Sequence, residues 1–480
     1  ESGNNVTTIA ASTNAAIQYA DADGLTVGTV DGTVGITTSD DDVSLNPGDT
    51  LLIDDDVTLG AGDLEINAPA AVTQNAGDVI TAAGLELLGA GPFTLADAGN
   101  NVTTIAGNTT GPISYRDSGA LTVGSVGGTT GITTGNTGLT LQTGTTLLVD
   151  DDVDAGTADI ELTSGGAVTQ NAGETVVAAG LELLGAGPYT LTDAGNDVAT
   201  IAASTTEAVS YADADDLSIG SVGGTVGVTT SVDGTAPIAL ETVAGDLTAF
   251  QGVGSTNSSI AVTVPSGFEF LLGASISVDS SPAAVGANIV FNADLGDTGT
   301  NVLAVDAGAA TAEFGGAVGL AGSLNNAPGD IDVNAAGVLF SGASTGGTDD
   351  IRVQNDLNIT GAASGVVMTL DGPGEMERLG GGQFVWPWNL YLDIDPGVTL
   401  TLLSDLWVHG HLVAFRGSFD FNGRTITVGD SDVGTTDDLV IFGSGYDPDD
   451  LDVNGADGDT RFAYPDTGDW VYAGPAPADY

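Results

Sequence analysis

Short apolar runs separated by Gly, Asn and Asp recur along the chain. Leu25-Thr26-Val27, Val34-Gly35-Ile36, Leu64-Glu65-Ile66 and Leu85-Glu86-Leu87 set large apolar side chains two positions apart, and Leu51-Leu52-Ile53 is apolar throughout. Successive side chains of a strand point to opposite faces, so period two predicts short, half-buried strands. The Gly, Asn and Asp between the runs predict tight turns. Runs this short fit three strands per coil of a solenoid.

The pattern is also periodic on a longer scale. Gly3-Asn4-Asn5-Val6-Thr7-Thr8-Ile9-Ala10 returns at residues 99–106, and again, slightly changed, at 195–202. Leu51 to Val57 matches Leu147 to Val153, and Gly84 to Pro92 matches Gly180 to Pro188. Each interval is 96 residues, and the first two units share 57 identities without a gap. A gap-free repeat of this kind is the signature of stacked supersecondary units. Five equal steps give about 19 residues per coil, a length suited to a parallel β-helix. The predicted fold is therefore all-β, a parallel β-helix (β-solenoid) with an atypical C-terminal cap. A tandem array of β-sandwiches is the alternative, but each unit has few aromatics, and the join Ala96-Asp97-Ala98-Gly99-Asn100 is no linker.

The predicted organisation has three parts. Residues 1–235 carry the tandem repeats, at 3–98, 99–194 and a partial unit at 195–235. Residues 236–370 keep the composition but lose the register. Residues 371–480 hold all four Trp, both His and four of the six Arg, and are read as final coils with a capping or contact region. Terminal repeats of solenoids are usually atypical.

Charge narrows the function classes. The net charge is −59, with no Lys, and 53 of the 65 acids are Asp, a turn residue. No basic patch exists to neutralise phosphates, which excludes nucleic acid as a partner and argues against anionic membrane surfaces. Such a chain repels itself and calls for counterions, supplied by high salt or by bound divalent cations. Cysteine is absent, and no apolar stretch approaches the roughly 20 residues of a membrane span, so no membrane insertion is expected. The first residues are Glu1-Ser2 rather than Met, so we read residue 1 as internal to a longer gene product.

The repeated motifs GLTVG and ALTVGSVGG, GAVTQNAG, GLELLGAG and GNNVTTIA resemble repeats of filamentous-haemagglutinin-like adhesins and related giant bacterial surface β-solenoid proteins. The resemblance covers residues 1–235; the remainder resembles them in composition only. It implies a right-handed parallel β-helix, export to the cell surface, and a role in adhesion, biofilm or filaments. The characteristic secretion domain, a wall-anchor signal and a calcium nonapeptide array are not visible in the chain.

Three constellations invite chemical readings. The first is a set of Asp triples, Asp40-Asp41-Asp42, Asp54-Asp55-Asp56 and Asp150-Asp151-Asp152. Calcium takes six to eight oxygen ligands, so Asp54, Asp56, Asp150 and Asp152 are candidate Ca2+ ligands; a solvated turn is the competing reading. The third unit, aligned at the same interval, has Asp246-Leu247-Thr248 instead. The second constellation lies in 447–459, where Asp450, Asp452, Asn454 and Gly455 match the start of an EF-hand loop but Arg461 stands where a bidentate Glu belongs. Asp450, Asp452, Asn454 and Asp457 are candidate Ca2+ ligands of a looser loop, with an acidic turn-rich surface as the competing reading. The third is the aromatic set Trp386, Trp388, Trp407 and Trp470, candidates for a protein interface or for stacking on glycans. His409 and His411 share a face if both lie on one strand, without a third metal ligand at suitable spacing.

Polysaccharide lyases and hydrolases also use β-helices. Asp393, Asp395, Asp420 or Glu375 would be available as paired carboxylates, but so acidic a chain offers such pairs everywhere. The expectation is a non-enzymatic, extracellular structural protein, a stiff rod or filament subunit that assembles with itself. A glycan- or host-surface-binding adhesin acting through the C-terminal region is the alternative, and a polysaccharide-degrading enzyme a further one.

Overall fold

The computed structural model describes residues 3–281 and 285–316 without interruption, then separate backbone segments between residues 318 and 471, with side chains as far as Val338. The described residues contain strands and turns and no helix. Apart from short antiparallel pairs, their strands pair in parallel and stack as a β-solenoid of about 14 turns. They fall into two units, residues 1–217 with 221–226, and residues 218–220 with 227–480.

In the first unit the columns of the wall are read directly from register. Leu25 pairs with Leu51, Leu51 with Val72, Val72 with Phe93, and Phe93 with Ile113. A second column runs Ile17, Val43, Leu64, Leu85 and Ile105. Side-chain bonds between adjacent turns give the turn lengths. Thr29 reaches Asp55 across 26 residues, Ser44 reaches Glu65 across 21 residues, and Ile80 reaches Asn100 across 20 residues. Side chains that point inward are almost all apolar: Leu25, Val27, Leu51, Ile53, Val72, Phe93 and Leu95 are each 2 % exposed or less. Each turn buries the row beneath it, so a continuous core needs no disulfide, and the chain has no Cys.

These spacings correct the expected step of about 19 residues. Ile113 is the counterpart of Ile17 one repeat later, yet it stacks on Phe93, in the column begun by Leu25. The column of Leu25 reaches Ile113 after four turns, and the counterpart of Leu25 itself, Leu121, opens the next strand along the chain. One 96-residue repeat thus advances four turns plus one face, not five whole turns. The turns without a hairpin already run 20 or 21 residues, and the hairpin Thr29–Val30 with Thr33–Val34 lengthens one turn of each repeat to 26. Gly35 and Gly131 return the chain from the hairpin to the wall. Their φ values are +60° and +68°, and a Cβ would lie 2.1 Å from the Asp56 carbonyl oxygen and 2.2 Å from that of Asp152. Only glycine meets both demands.

The second unit has the same parallel pairing without a fixed period. Ile238 pairs with Ile260, Ile260 with Ile289, and Ile289 with Ala312. Bonds beside these strands show the uneven turns: Ser258 reaches Ala236 across 22 residues, Asn257 reaches Gly286 across 29 residues, and Asn288 reaches Thr311 across 23 residues. Its core holds a ladder of stacked rings. Phe270 and Phe291 have centroids 5.5 Å apart, and Phe291 and Phe314 5.2 Å. Later strands continue in parallel, as in Asn389–Asp393 with His411–Arg416 and Asp438–Phe442 with Asp459–Ala463. The segment Trp470–Val471 pairs antiparallel with the latter.

Candidate functional site

The Asp triples occupy the bend that follows the strands Leu51–Ile53 and Leu147–Val149. Each carboxylate has a hydrogen-bond partner. Asp54 accepts from the Asn75 amide, Asp55 from the Thr29 hydroxyl at 2.7 Å, and Asp56 from the Val79 N–H at 2.8 Å. The second repeat reproduces this set. Asp150 accepts from Asn171, Asp151 from the Ser125 hydroxyl at 2.9 Å, and Asp152 from the Thr175 N–H at 2.7 Å. Two carboxylates of each triple thus tie one turn to the next, and the middle one holds the base of a hairpin. Asp40 and Asp42 do related work, accepting from the Ala61 N–H at 2.8 Å and the Asp63 N–H at 2.9 Å.

The same bends concentrate charge. Partial burial, together with Asp55, Asp56, Asp54 and Asp97, holds the Asp78 carboxyl above the usual carboxylate range. Glu174 is raised in the same way, by desolvation and then by Asp152, Asp151, Asp150 and Asp193. Asp97 and Asp193 are shifted the other way, because each accepts two backbone N–H bonds, from Gly77 and Gly99 and from Gly173 and Gly195. Among the described residues no group of three or more His, Cys, Asp or Glu side chains is arranged to hold a metal ion. Asp54 and Asp56, and likewise Asp150 and Asp152, are hydrogen-bonded turn residues.

In the third repeat the structural counterpart of the triple is not Asp246-Leu247-Thr248. Asp54 and Asp55 N–H groups both donate to the Val27 carbonyl, and Phe250 and Gln251 N–H groups both donate to that of Ile219. The equivalent bend is Phe250-Gln251-Gly252, a little later in the chain. The acids are lost there, and Phe250 is left 48 % exposed.

A buried polar element escaped the sequence reading. Tyr115 donates from its hydroxyl to Asp117 at 2.8 Å, and Asp117 also accepts from the Val102 N–H at 2.8 Å and the Gly119 N–H at 2.7 Å. Tyr211 with Asp213 and Tyr19 with Asp21 repeat the arrangement, with O–O distances of 2.7 Å in both. The signal was a Tyr-x-Asp triplet at the 96-residue interval, at 19–21, 115–117 and 211–213. Burial pushes the Asp213 carboxyl up to about 6 against the opposing effect of those hydrogen bonds, and pushes the Tyr19 hydroxyl up to about 12. These pairs satisfy the polar groups of a corner.

The C-terminal candidates lie largely outside the described residues. This holds for Asp450, Asp452, Asn454, Asp457, Trp386, Trp388 and His409. Trp407 falls on strand Leu406–Val408, opposite Thr427, and Trp470 opposite Ala463. His411 opens the strand His411–Arg416. Among the described residues no helix is long and apolar enough to cross a membrane. No family model, curated protein or solved structure matches the chain.

Proposed function

We propose that the chain is an extracellular structural protein of bacterial surface type, a β-solenoid spacer or filament subunit whose partner is a second copy of itself. One observation supports this reading most. The most chemically versatile residues are already engaged, the Asp triples in hydrogen bonds between turns and the Tyr–Asp pairs in bonds within a corner, at equivalent positions of successive repeats. A catalytic site needs one differentiated constellation, whereas a wall needs the same contact many times. On this reading cations, calcium among them, act as diffuse counter-charge to the acidic bends, screening exposed carboxylates over a distance that shortens as salt rises.

The test is sedimentation velocity combined with electron microscopy of the purified chain over a range of concentrations. The reading predicts elongated particles that associate as concentration rises. Compact particles that stay monomeric and depolymerise any member of a panel of acidic and neutral glycans would overturn it.

A further inference from the structure

Each repeat carries one two-stranded hairpin: Thr29–Val30 with Thr33–Val34, Ser125–Val126 with Thr129–Thr130, and Ser221–Val222 with Thr225–Val226. The second leaves the wall between Val123 and Ile132, next to Ile105 and Gly107 of the preceding turn. It folds back over the buried Ala106 and reaches the strand Ile80–Gly89, one turn further on. There Val126 is 5 % exposed and lies on Gly84, where a Cβ would sit 2.5 Å from Val126 Cγ1. The Thr129 N–H donates to Glu86 Oε1 at 3.2 Å, across 43 residues of sequence. Gly127, at φ +63°, lies so close that a Cβ would be 2.1 Å from Glu86 Oε2.

The third hairpin repeats every element. Val222 is 5 % exposed, a Cβ on Gly180 would lie 2.8 Å from it, and the Thr225 N–H donates to Glu182 Oε1 at 3.2 Å. Gly223 stands where Gly127 stood, with a Cβ 1.9 Å from Glu182 Oε2. Glu86 and Glu182 point outward from the wall and are buried only because a hairpin covers them, at 5 % and 6 % exposure. The first hairpin is different. Val30 is 41 % exposed, and Asp31, at φ +49°, stands where Gly127 and Gly223 stand in the later hairpins.

We infer that the second and third hairpins are latches. Each seats a Val-Gly-Gly-Thr tip on a Gly-x-Glu platform two turns back, and the strands between latch and seat are held until the tip lets go. The platform recognises the tip by shape, through Gly84 or Gly180, and by charge, through a carboxylate that accepts from the Thr129 or Thr225 N–H beside a left-handed glycine pair. A seat 42 residues before Val30 would fall ahead of residue 1, so the first hairpin is unseated in this chain and serves as the unlatched reference. The latch belongs to a single chain and holds whether or not copies associate, so its test is independent of the proposed assembly.

Amide hydrogen exchange on the full chain reads the latch directly. Thr129 and Thr225 are expected to exchange at least about tenfold more slowly than Thr33, their counterpart in the first hairpin. Gly127→Asp sets a second carboxylate against Glu86, and Glu86→Ala removes the acceptor. Each variant is expected to bring Thr129 to the rate of Thr33, to speed exchange in Leu121–Val123, and to leave Thr225 slow. The slow Thr225 shows that the variant is folded. Equal rates for Thr33, Thr129 and Thr225 in the unmodified chain would overturn the inference without any variant. So would unchanged exchange at Thr129 and in Leu121–Val123 in a variant whose Thr225 remains protected.

Discussion

Gln74 and Asn100 exchange a pair of amide hydrogen bonds across one turn of the solenoid. Gln74 Nε2 donates to Asn100 Oδ1 at 2.7 Å, and Asn100 Nδ2 donates to Gln74 Oε1 at 3.0 Å. Asn100 Oδ1 also accepts from the Ile80 N–H at 2.9 Å, and its side chain is fully buried. Gln170 and Asn196 make the same exchange at 2.6 and 3.2 Å. The inner side of the corner therefore contains a closed polar network, whose members are costly to orphan.

Replacing Asn100 by Leu leaves the Ile80 N–H and the Gln74 amide without their partner. The expected loss is about 2–4 kcal/mol, read as a lower melting temperature. Asn4, the counterpart one repeat earlier, donates from its side chain to the Ala20 carbonyl at 3.0 Å, so Asn4→Ala is expected to cost about 1 kcal/mol or less.

The ring ladder of the second unit gives a packing prediction. Phe291 lies between Phe270 and Phe314 and is fully buried. Phe291→Ala removes both stacking contacts and leaves a cavity, with an expected cost of about 3–5 kcal/mol. Phe291→Leu keeps most of the volume and is expected to cost about half of that, measured by the same melting experiment.

Asp213 makes stability depend on pH. Its folded pKa, about 6, lies above the ordinary carboxylate value, so folding favours the protonated form. The contribution is fully present below about pH 4 and is lost as pH rises through about 6. Acidification from pH 7 to pH 5 is therefore expected to raise the melting temperature of the native chain relative to Asp213→Asn. A constant difference across that range would show that the corner does not titrate there.

Charge at the bends gives an opposite kind of mutant. Asp78 and Glu174 have raised pKa values, so their neutral forms suit the folded state. Asp78→Asn and Glu174→Gln are expected to raise the melting temperature at low salt, and the gain is expected to fade near 1 M salt, where the Debye length falls to about 3 Å. Calcium is expected to act no better than magnesium at equal concentration. A calcium-specific rise abolished by Asp54→Asn would instead assign an ion to the bend.

Much of the wall was legible in the sequence. Period-two runs such as Leu64-Glu65-Ile66 are strands with Leu64 and Ile66 inward, and the repeat marks a parallel solenoid. Turn length was not legible, because a hairpin adds residues to one turn without disturbing the gap-free 96-residue alignment. That one unknown hid the site as well. Asn75 and Val79 lie 21 and 23 residues beyond Asp54 and Asp56, and a partner at that distance is visible only once the turn is known. The seat of Thr129 on Glu86, two turns apart, had a fainter signal. Val-Gly-Gly-Thr recurs at 126–129 and 222–225, and Gly-x-Glu at 84–86 and 180–182.

The register of the turns is the claim on which the rest depends, and the absence of native Cys makes it directly measurable. Thr73 and Thr94 are partners in register on adjacent parallel strands, with both side chains exposed. Neighbouring strands lie about 4.8 Å apart, within disulfide reach. Under mild oxidation Thr73→Cys with Thr94→Cys is expected to form an intramolecular disulfide, and so is Thr169→Cys with Thr190→Cys, the equivalent pair. The competing pair is Thr73→Cys with Pro92→Cys, which a coil of about 19 residues would bring together. If both in-register pairs stay reduced while that competing pair becomes linked, the turn length and every contact built on it are contradicted.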